Sequence, residues 1–301
     1  MANAEVELDL MELADLGQPL KLAHEIHRQL RVQFGSVPTK VPLVGIASAL
    51  GIEAIEEHDN EAIEGMLAIV DGRGAVSLRR TLRPGRRNFT LGHEIGHFVI
   101  PNHRFQSTKF QCAKRDIGQE RGTGNWAQRP APERIEVEAN EFAAALLVPR
   151  PEFRAERRKL GAAYDVAHIR SLAETFAVSQ EVMAKVYVQE ADERIAIETS
   201  QSGLVRRVIP KQGFPYLGLR RDMPLPRDSL TQRFKVANDP ISNLVELPAH
   251  VWVEKSQGIG ALYEQVFVQE DGWAMTLIAV DEEEDDEEGD DRDWNRRSNR
   301  W

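Results

Sequence analysis

The chain is predicted to fold as an α+β protein on three observations. Apolar residues recur at helical spacing in Pro19–Phe34, Phe89–Ile100 and Glu136–Val148, and again through residues 166–190. Three short β-like runs, Ile52–Glu57, Gly65–Val70 and Ala75–Arg79, fall between the first two of these. From about residue 195 the pattern changes to short runs broken by Gly, Pro and Asn: Ile195–Thr199, Leu204–Ile209, Val251–Glu254, Leu262–Gln269 and Trp273–Val280. The expected organisation is an N-terminal segment (1–16), a main domain with a small antiparallel sheet and a helical buttress (17–190), a β-rich module of open role (195–280) and an acidic tail (281–301). With 301 residues and 42% hydrophobic content, the chain can bury a full core.

The elements follow in order. Residues 1–16 are acidic and leucine-bearing, compatible with a loose helix. Leu22, Ile26, Leu30 and Phe34 share one helical phase, and Gly35 is a natural stop. Within that helix His24-Glu25-Ile26-His27 has its histidines three apart and no third ligand nearby, so it is read as helix surface. Pro42–Leu50 reads as a short helix stopped by Gly51, and Asp71-Gly72-Arg73-Gly74 as the turn between the second and third strands. An exposed edge of that meander could hold an extended peptide by strand addition. His58, at a strand end, reads as a surface loop residue. Residues 101–134 show little periodicity and many turn formers, including Gly118, Gly122, Gly124, Pro130 and Pro132, as expected of a lid or substrate-contacting loop. Residues 281–293 hold eleven acidic residues and one Arg, a net of −10 that equals the formal charge of the whole protein. Such a run repels itself and is expected to be a disordered, solvating tail.

The chemistry concentrates in Phe89–Ile100, which contains His93-Glu94-Ile95-Gly96-His97. On a helix His93 and His97 are one turn apart and about 40° from each other, so both imidazoles reach one point, as two ligands of a zinc ion do. Glu94 lies about 60° from His97, on the edge of the same face, where a carboxylate can serve as general base toward an attacking water. Gly92 and Gly96, also one turn apart, leave a flank without side chains where another element must approach closely. Asn88 or Thr90 could cap the helix and Pro101 ends it. A second helical run opens with Glu136-Val137-Glu138-Ala139-Asn140 and continues to Pro149. Either glutamate could be the third protein ligand, but they lie about 200° apart on the helix and cannot face one metal together.

With both motifs in view, the chain resembles the ImmA/IrrE family of zinc metallopeptidases, whose members carry His-Glu-x-Gly-His followed by Glu-x-Glu-Ala-Asn-x-Phe-Ala-Ala-x-Leu-Leu-x-Pro. Both are present, as His93–His97 and Glu136–Pro149. The resemblance implies a minimal zincin-like domain of gluzincin type, with His93, His97 and Glu136 as zinc ligands, Glu94 as the catalytic base and Asn140 as the partner that orients His93. It further implies site-specific cleavage of a protein substrate, a helix-turn-helix repressor in a stress or mobile-element circuit. Cys112, in the long insertion, is either a small buried hydrophobe or a thiolate that occupies the fourth zinc position and silences or redox-gates the enzyme. Tyr164 and His168 are candidate oxyanion donors.

Two rival readings come from other functional classes. One is a zinc-containing module that regulates a partner without cutting it, against which an intact Glu94 argues. The other is DNA binding, because Leu172–Ser179 followed by Val182 and Val186 looks like a helix-turn-helix. Its second helix offers only Lys185 and Gln180 against Glu181, and the chain is acidic, so direct nucleic-acid binding is not expected. The segment is instead read as a helical pair buttressing the catalytic helices. No apolar run approaches membrane-spanning length and no export signal is visible, so a cytoplasmic protein with no membrane partner is expected. A single cysteine excludes an internal disulfide.

Overall fold

The structure is a computed structural model describing residues 5–113, 130–236, 239–254 and 258–282. It divides into two compact units, residues 1–190 and 191–301. The first has the element order α1 (Leu10–Ala14), α2 (Pro19–Phe34), α3 (Leu43–Leu50), β1 (Ile52–His58), β2 (Gly65–Val70), β3 (Arg73–Arg79), α4 (Pro84–Val99), α5 (Pro101–Gln106), β4 (Lys109–Cys112), α6 (Ala131–Leu147), α7 (Arg150–Lys159), α8 (Val166–Thr175) and α9 (Gln180–Glu190). No described helix is long and apolar enough to cross a membrane.

The chain is α+β, as its patterning predicts, but the first sheet is mixed rather than wholly antiparallel. Its order is β1-β3-β2-β4, with β1 parallel to β3 and the other two pairings antiparallel. The physical reason is turn length. Asp71 and Gly72 both take left-handed backbone (φ 50° and 80°), closing β2 onto β3 as a two-residue hairpin. The longer 59–64 connection leaves room for β3 to insert between β1 and β2. β4 then takes the free edge of β2, pairing Gly65 with Cys112 and Leu67 with Phe110.

Every residue of α4 from Phe89 to Val99 is buried, because the helix packs against β2 and β3 as well as α3, α5 and α6. It begins at Pro84, several residues before the expected caps. Asn88 therefore lies inside the helix, where its side-chain amide donates to the Ala177 carbonyl at 2.8 Å, and the Thr90 hydroxyl donates to the Arg86 carbonyl at 3.0 Å. The α8–α9 turn reaches α4 at Gly85 as well, where a Cβ would stand 2.6 Å from the Val178 carbonyl carbon. α9 buries Met183, Ala184, Val186, Tyr187 and Val188, so the helix-turn-helix-like segment spends its apolar face on packing. α2 packs on α6, and His27 is not a surface residue: it is buried, and its Nε2 faces the Leu146 carbonyl at 2.8 Å. Burial lowers the His27 pKa to about 4, so the neutral ring makes this bond as a donor.

Of residues 101–134, the described parts, 101–113 and 130–134, are more regular than their composition suggests. These parts hold α5, β4 and the first turn of α6, which starts at Ala131 rather than Glu136. Gly118, Gly122 and Gly124 of the expected lid lie outside the described residues.

The second unit is a five-stranded antiparallel sheet, order β6-β5-β9-β8-β7, built from β5 (Ile195–Gln201), β6 (Leu204–Pro210), β7 (Val245–Leu247), β8 (Ile259–Val268) and β9 (Trp273–Glu282), with a short α10 (Leu230–Arg233). β9 extends past Val280, so Asp281 and Glu282 of the acidic run pair with Ala261 and Ile259, while the rest of the tail lies outside the described residues. Val251–Glu254 is not a strand. A 3₁₀ turn at Ala249–Val251 instead delivers Trp252 into the core, where its Nε1 donates to Glu264 Oε2 at 2.7 Å. The Glu264 carboxylate also accepts from the Leu230 and Thr231 amides and the Thr231 hydroxyl, at 2.7–2.9 Å. Thr276 links this network to Glu198, lying 2.7 Å from the Thr231 hydroxyl and 3.2 Å from Glu198 Oε2.

Two predictions follow from these contacts. A Cβ on Gly96 would lie 3.1 Å from Phe142 Cδ1 and 3.2 Å from Ala139 Cα, whereas one on Gly92 would meet Ala143 Cβ at an ordinary 3.4 Å. Gly96→Ala is therefore expected to destabilise by about 1–3 kcal/mol through overpacking, and Gly92→Ala to be neutral or stabilising by up to ~1 kcal/mol of helix propensity. Equal shifts in denaturant midpoint would refute this packing. Second, burial raises the Glu198 carboxyl from 4.5 to about 8. A raised carboxyl contributes stability below its unfolded pKa and loses it as pH rises toward the folded value. Glu198→Gln, which cannot ionise, should thus gain stability relative to wild type between pH 5 and pH 8, and a pH-independent difference in denaturation would refute it.

Candidate metal centre

α4 and α6 meet through small residues, and this contact places their polar groups. Gly92 faces Ala143 and Gly96 faces Ala139, so the two backbones approach closely enough for side chains of both helices to converge. One ligand atom each from His93, His97, Glu136 and Cys112 then lies within 4.8 Å of the others. His93 Nε2 is 3.0 Å from His97 Nε2, 3.2 Å from Glu136 Oε2 and 3.3 Å from Cys112 Sγ, and His97 Nε2 is 3.6 Å from both Glu136 Oε1 and Cys112 Sγ. Both rings and the thiol are fully buried.

The outer nitrogens show how the inner ones are poised. His93 Nδ1 faces Asn140 Oδ1 at 2.9 Å, which places the ring proton on Nδ1 and leaves the Nε2 lone pair pointing inward. His97 Nδ1 lies 3.1 Å from His103 Nδ1, and His103 Nε2 lies 3.1 Å from Glu138 Oε2. A carboxylate only accepts, so His103 donates to Glu138 through Nε2, accepts at Nδ1 from His97, and the His97 Nε2 lone pair also points inward. Two imidazole lone pairs, a carboxylate and a sulfur thus converge without a donor among them to satisfy them all. Such a donor set can hold a divalent metal ion, whose charge would offset their mutual repulsion.

Charge shifts follow the same geometry. Burial opposes the ionised form of Glu136, but its contacts with His93 and His97 outweigh this and hold its carboxyl well below the usual range. Burial likewise opposes protonation of both histidines. Glu136 overcomes this at His93, which is raised, and not at His97, which is lowered. Glu94 is fully buried, and neither of its oxygens has a hydrogen-bond partner of good geometry. Burial pushes it up to about 7, against the pull of His93 and the Cys112 thiol. Its space comes from β2: a Cβ on Gly65 would come within 2.3 Å of Glu94 Oε1.

Glu138, the rival third ligand, points away from the cluster and serves His103 instead. His103 is the polar residue that the sequence reading passes over. It stands six residues after His97, the spacing of the third histidine in His-Glu-x-x-His-x-x-Gly-x-x-His, but Ile100 replaces the Gly and α5 turns the ring toward the outer nitrogen of His97. Cys112 sits on an ordered strand rather than in an irregular loop. His168 faces the Tyr187 hydroxyl at 3.1 Å, a contact made within the α8–α9 pair.

Residues 47–186 match the family model of the IrrE N-terminal-like domain, a peptidase family. No curated protein matches the chain. Among solved structures, a Mycobacterium tuberculosis transcriptional regulator is similar at 15% identity and a TM-score of 0.47, over 90% of this chain and 73% of that one, a likeness too loose to bear on function. The matched region contains α4, β4 and α6, and so all of the convergent donors. Over residues 47–186, the chain is thus similar to the IrrE N-terminal-like domain of this peptidase family.

Proposed function

We infer that this protein is a zinc-dependent endopeptidase in which His93, His97 and Glu136 hold the metal and Glu94 is the general base. The observation that carries this reading is the fully buried Glu94 carboxylate, set beside a cluster of metal donors without ligating it. A structural metal site has no use for such a group, whereas hydrolysis needs a base beside the attacking water. Zinc bound there would supply a Lewis acid that polarises the scissile carbonyl and acidifies water. Glu94 takes the proton of the attacking water and delivers it to the leaving amine. Asn140 fixes the ring of His93, and Glu138, acting through His103, fixes that of His97, so that both present lone pairs to the metal. Gly65 keeps space for the base on the β2 side.

The substrate proposed is a folded regulatory protein of the helix-turn-helix class, cut at one exposed or locally unfolded loop. This rests on the family resemblance. A binding module that regulates without cutting would make Glu94 dispensable, which sets the test. Co-expressed with a helix-turn-helix regulator encoded beside it, wild type should yield two discrete fragments. Glu94→Gln should retain zinc and lose about 10²–10⁴ in rate, as for a missing general base. Cleavage by Glu94→Gln at the wild-type rate would remove Glu94 from this role. Regulation by both proteins without fragments would favour the binding module.

Metal analysis gives a separate prediction. Glu136→Ala should lose stoichiometric zinc, whereas Glu138→Ala and His103→Ala should keep it but bind about 10–100-fold more weakly, as when an outer partner of a ligand is removed. Zinc unchanged in Glu136→Ala would overturn the ligand assignment. Unchanged affinity in both Glu138→Ala and His103→Ala would show that the chain through His103 positions nothing.

A further inference from the structure

Resting on the metallopeptidase reading, the geometry points to a latent enzyme: β4 lies as an internal stand-in for substrate on β2, and its Cys112 closes the metal site as a fourth ligand. Three observations carry this. Catalytic zinc keeps an open position beside three protein ligands, while four protein ligands make a closed site. Cys112 Sγ belongs to the same cluster as His93, His97 and Glu136 and is fully buried, so the donor set as folded is four. Thiolate is a strong ligand for zinc, and binding it exchanges the Cys112 S–H bond for a sulfur–metal bond with release of one proton.

The second observation is the backbone. β4 runs antiparallel to β2 from Lys109 to Cys112, continued by the Glu64 amide donating to the Cys112 carbonyl at 2.9 Å and the Ile69 amide donating to the Thr108 carbonyl at 2.8 Å. An extended peptide added to β2 would need the same edge, since the other edge of β2 is taken by β3. The third is side-chain alternation. Phe110 and Cys112 face inward, Lys109 and Gln111 outward. The Phe110 ring stacks on His97 with centroids 4.3 Å apart and planes 18° from parallel, so β4 grips a proposed ligand and the metal position together. Gly65, opposite Cys112, has no side chain to separate the strand pair from Glu94.

Activation then consists of β4 leaving the edge of β2. Cys112 takes back a proton as its sulfur leaves the metal, and the vacated edge and coordination position become available to substrate and water. A four-residue edge strand held by one neighbour can open locally without global unfolding.

The test uses the full-length zinc protein, its Cys112→Ala variant and the near-isosteric Cys112→Ser, with the helix-turn-helix regulator as substrate. X-ray absorption of wild type should show one sulfur at about 2.3 Å from zinc. Both variants should keep stoichiometric zinc with only nitrogen and oxygen neighbours, and should cleave about tenfold faster or more if the closed form holds nine molecules in ten. Should Cys112→Ala fail to fold, Cys112→Ser alone decides. Wild-type zinc with no sulfur neighbour, or variants that cut no faster than wild type, would overturn the latch while leaving the peptidase reading intact. Absence of zinc from all three proteins would overturn the peptidase reading itself.

Discussion

The close approach of α4 to α6 is the constraint on which the rest of the structure depends. Helices with ordinary side chains at their contact pack about 8–10 Å apart, and side chains at that contact set how far polar groups on the two helices must reach. Here Gly92 and Gly96 on one helix meet Ala143 and Ala139 on the other. The same one-turn repeat that aligns the glycines aligns His93 with His97, so the small-residue stripe and the donor pair are set side by side. On α6 the alanine contact leaves Glu136 and Asn140 facing those histidines, one at the inner nitrogens and one at an outer nitrogen. Position and chemistry are therefore not separable in these helices. The residues that fix the interhelical approach are the ones whose spacing selects the donors.

This arrangement carries an electrostatic cost that the fold directs rather than removes. Buried charged groups are strongly disfavoured unless paired. The outer nitrogens of His93 and His97 find acceptors, which forces their remaining lone pairs inward and concentrates unsatisfied donors at one point. Glu136 responds by partly stabilising a proton on His93. A cation would relieve the same conflict for every donor at once. The C-terminal unit handles a comparable problem differently: buried Glu264 is met by an indole, two amides and a hydroxyl, while Glu198 is pushed toward its neutral form. There the fold itself accommodates both carboxylates, Glu264 by hydrogen bonds and Glu198 by keeping its proton.

What was legible in the sequence is what helices encode locally. His93, Glu94 and His97 follow from one periodicity, and the need for close approach follows from Gly92 and Gly96 in the same window. Strand order was not legible, because the insertion of β3 between β1 and β2 depends on a two-residue turn competing with a longer connection across the sheet. Within residues 101–113, α5 and β4 stand where composition suggested irregular chain; β4 becomes a strand only because β2 offers an unpaired edge. His27 was misread for a similar reason. Its partner, the Leu146 carbonyl, belongs to a helix more than a hundred residues away. His103 had a detectable spacing, but its orientation depends on Glu138, which sequence presents only as a competitor for the metal.

The elements around the cluster also differ in how firmly they are held. α4 is buried from Phe89 to Val99 and is contacted from the sheet side and by α3, α5 and α6, so its donors move only if the first unit comes apart. α6 is fixed by both α4 and α2. β4 has four residues and pairs with one strand. Local opening takes the path that exposes least apolar surface and breaks fewest backbone hydrogen bonds, and around this cluster that path runs through β4. Release of β4 would uncover the β2 edge and free Cys112 from the cluster while leaving His93, His97, Glu136 and Glu94 on helices that need not move. A rigid donor set under a loosely held strand allows access to the centre to change without dismantling it.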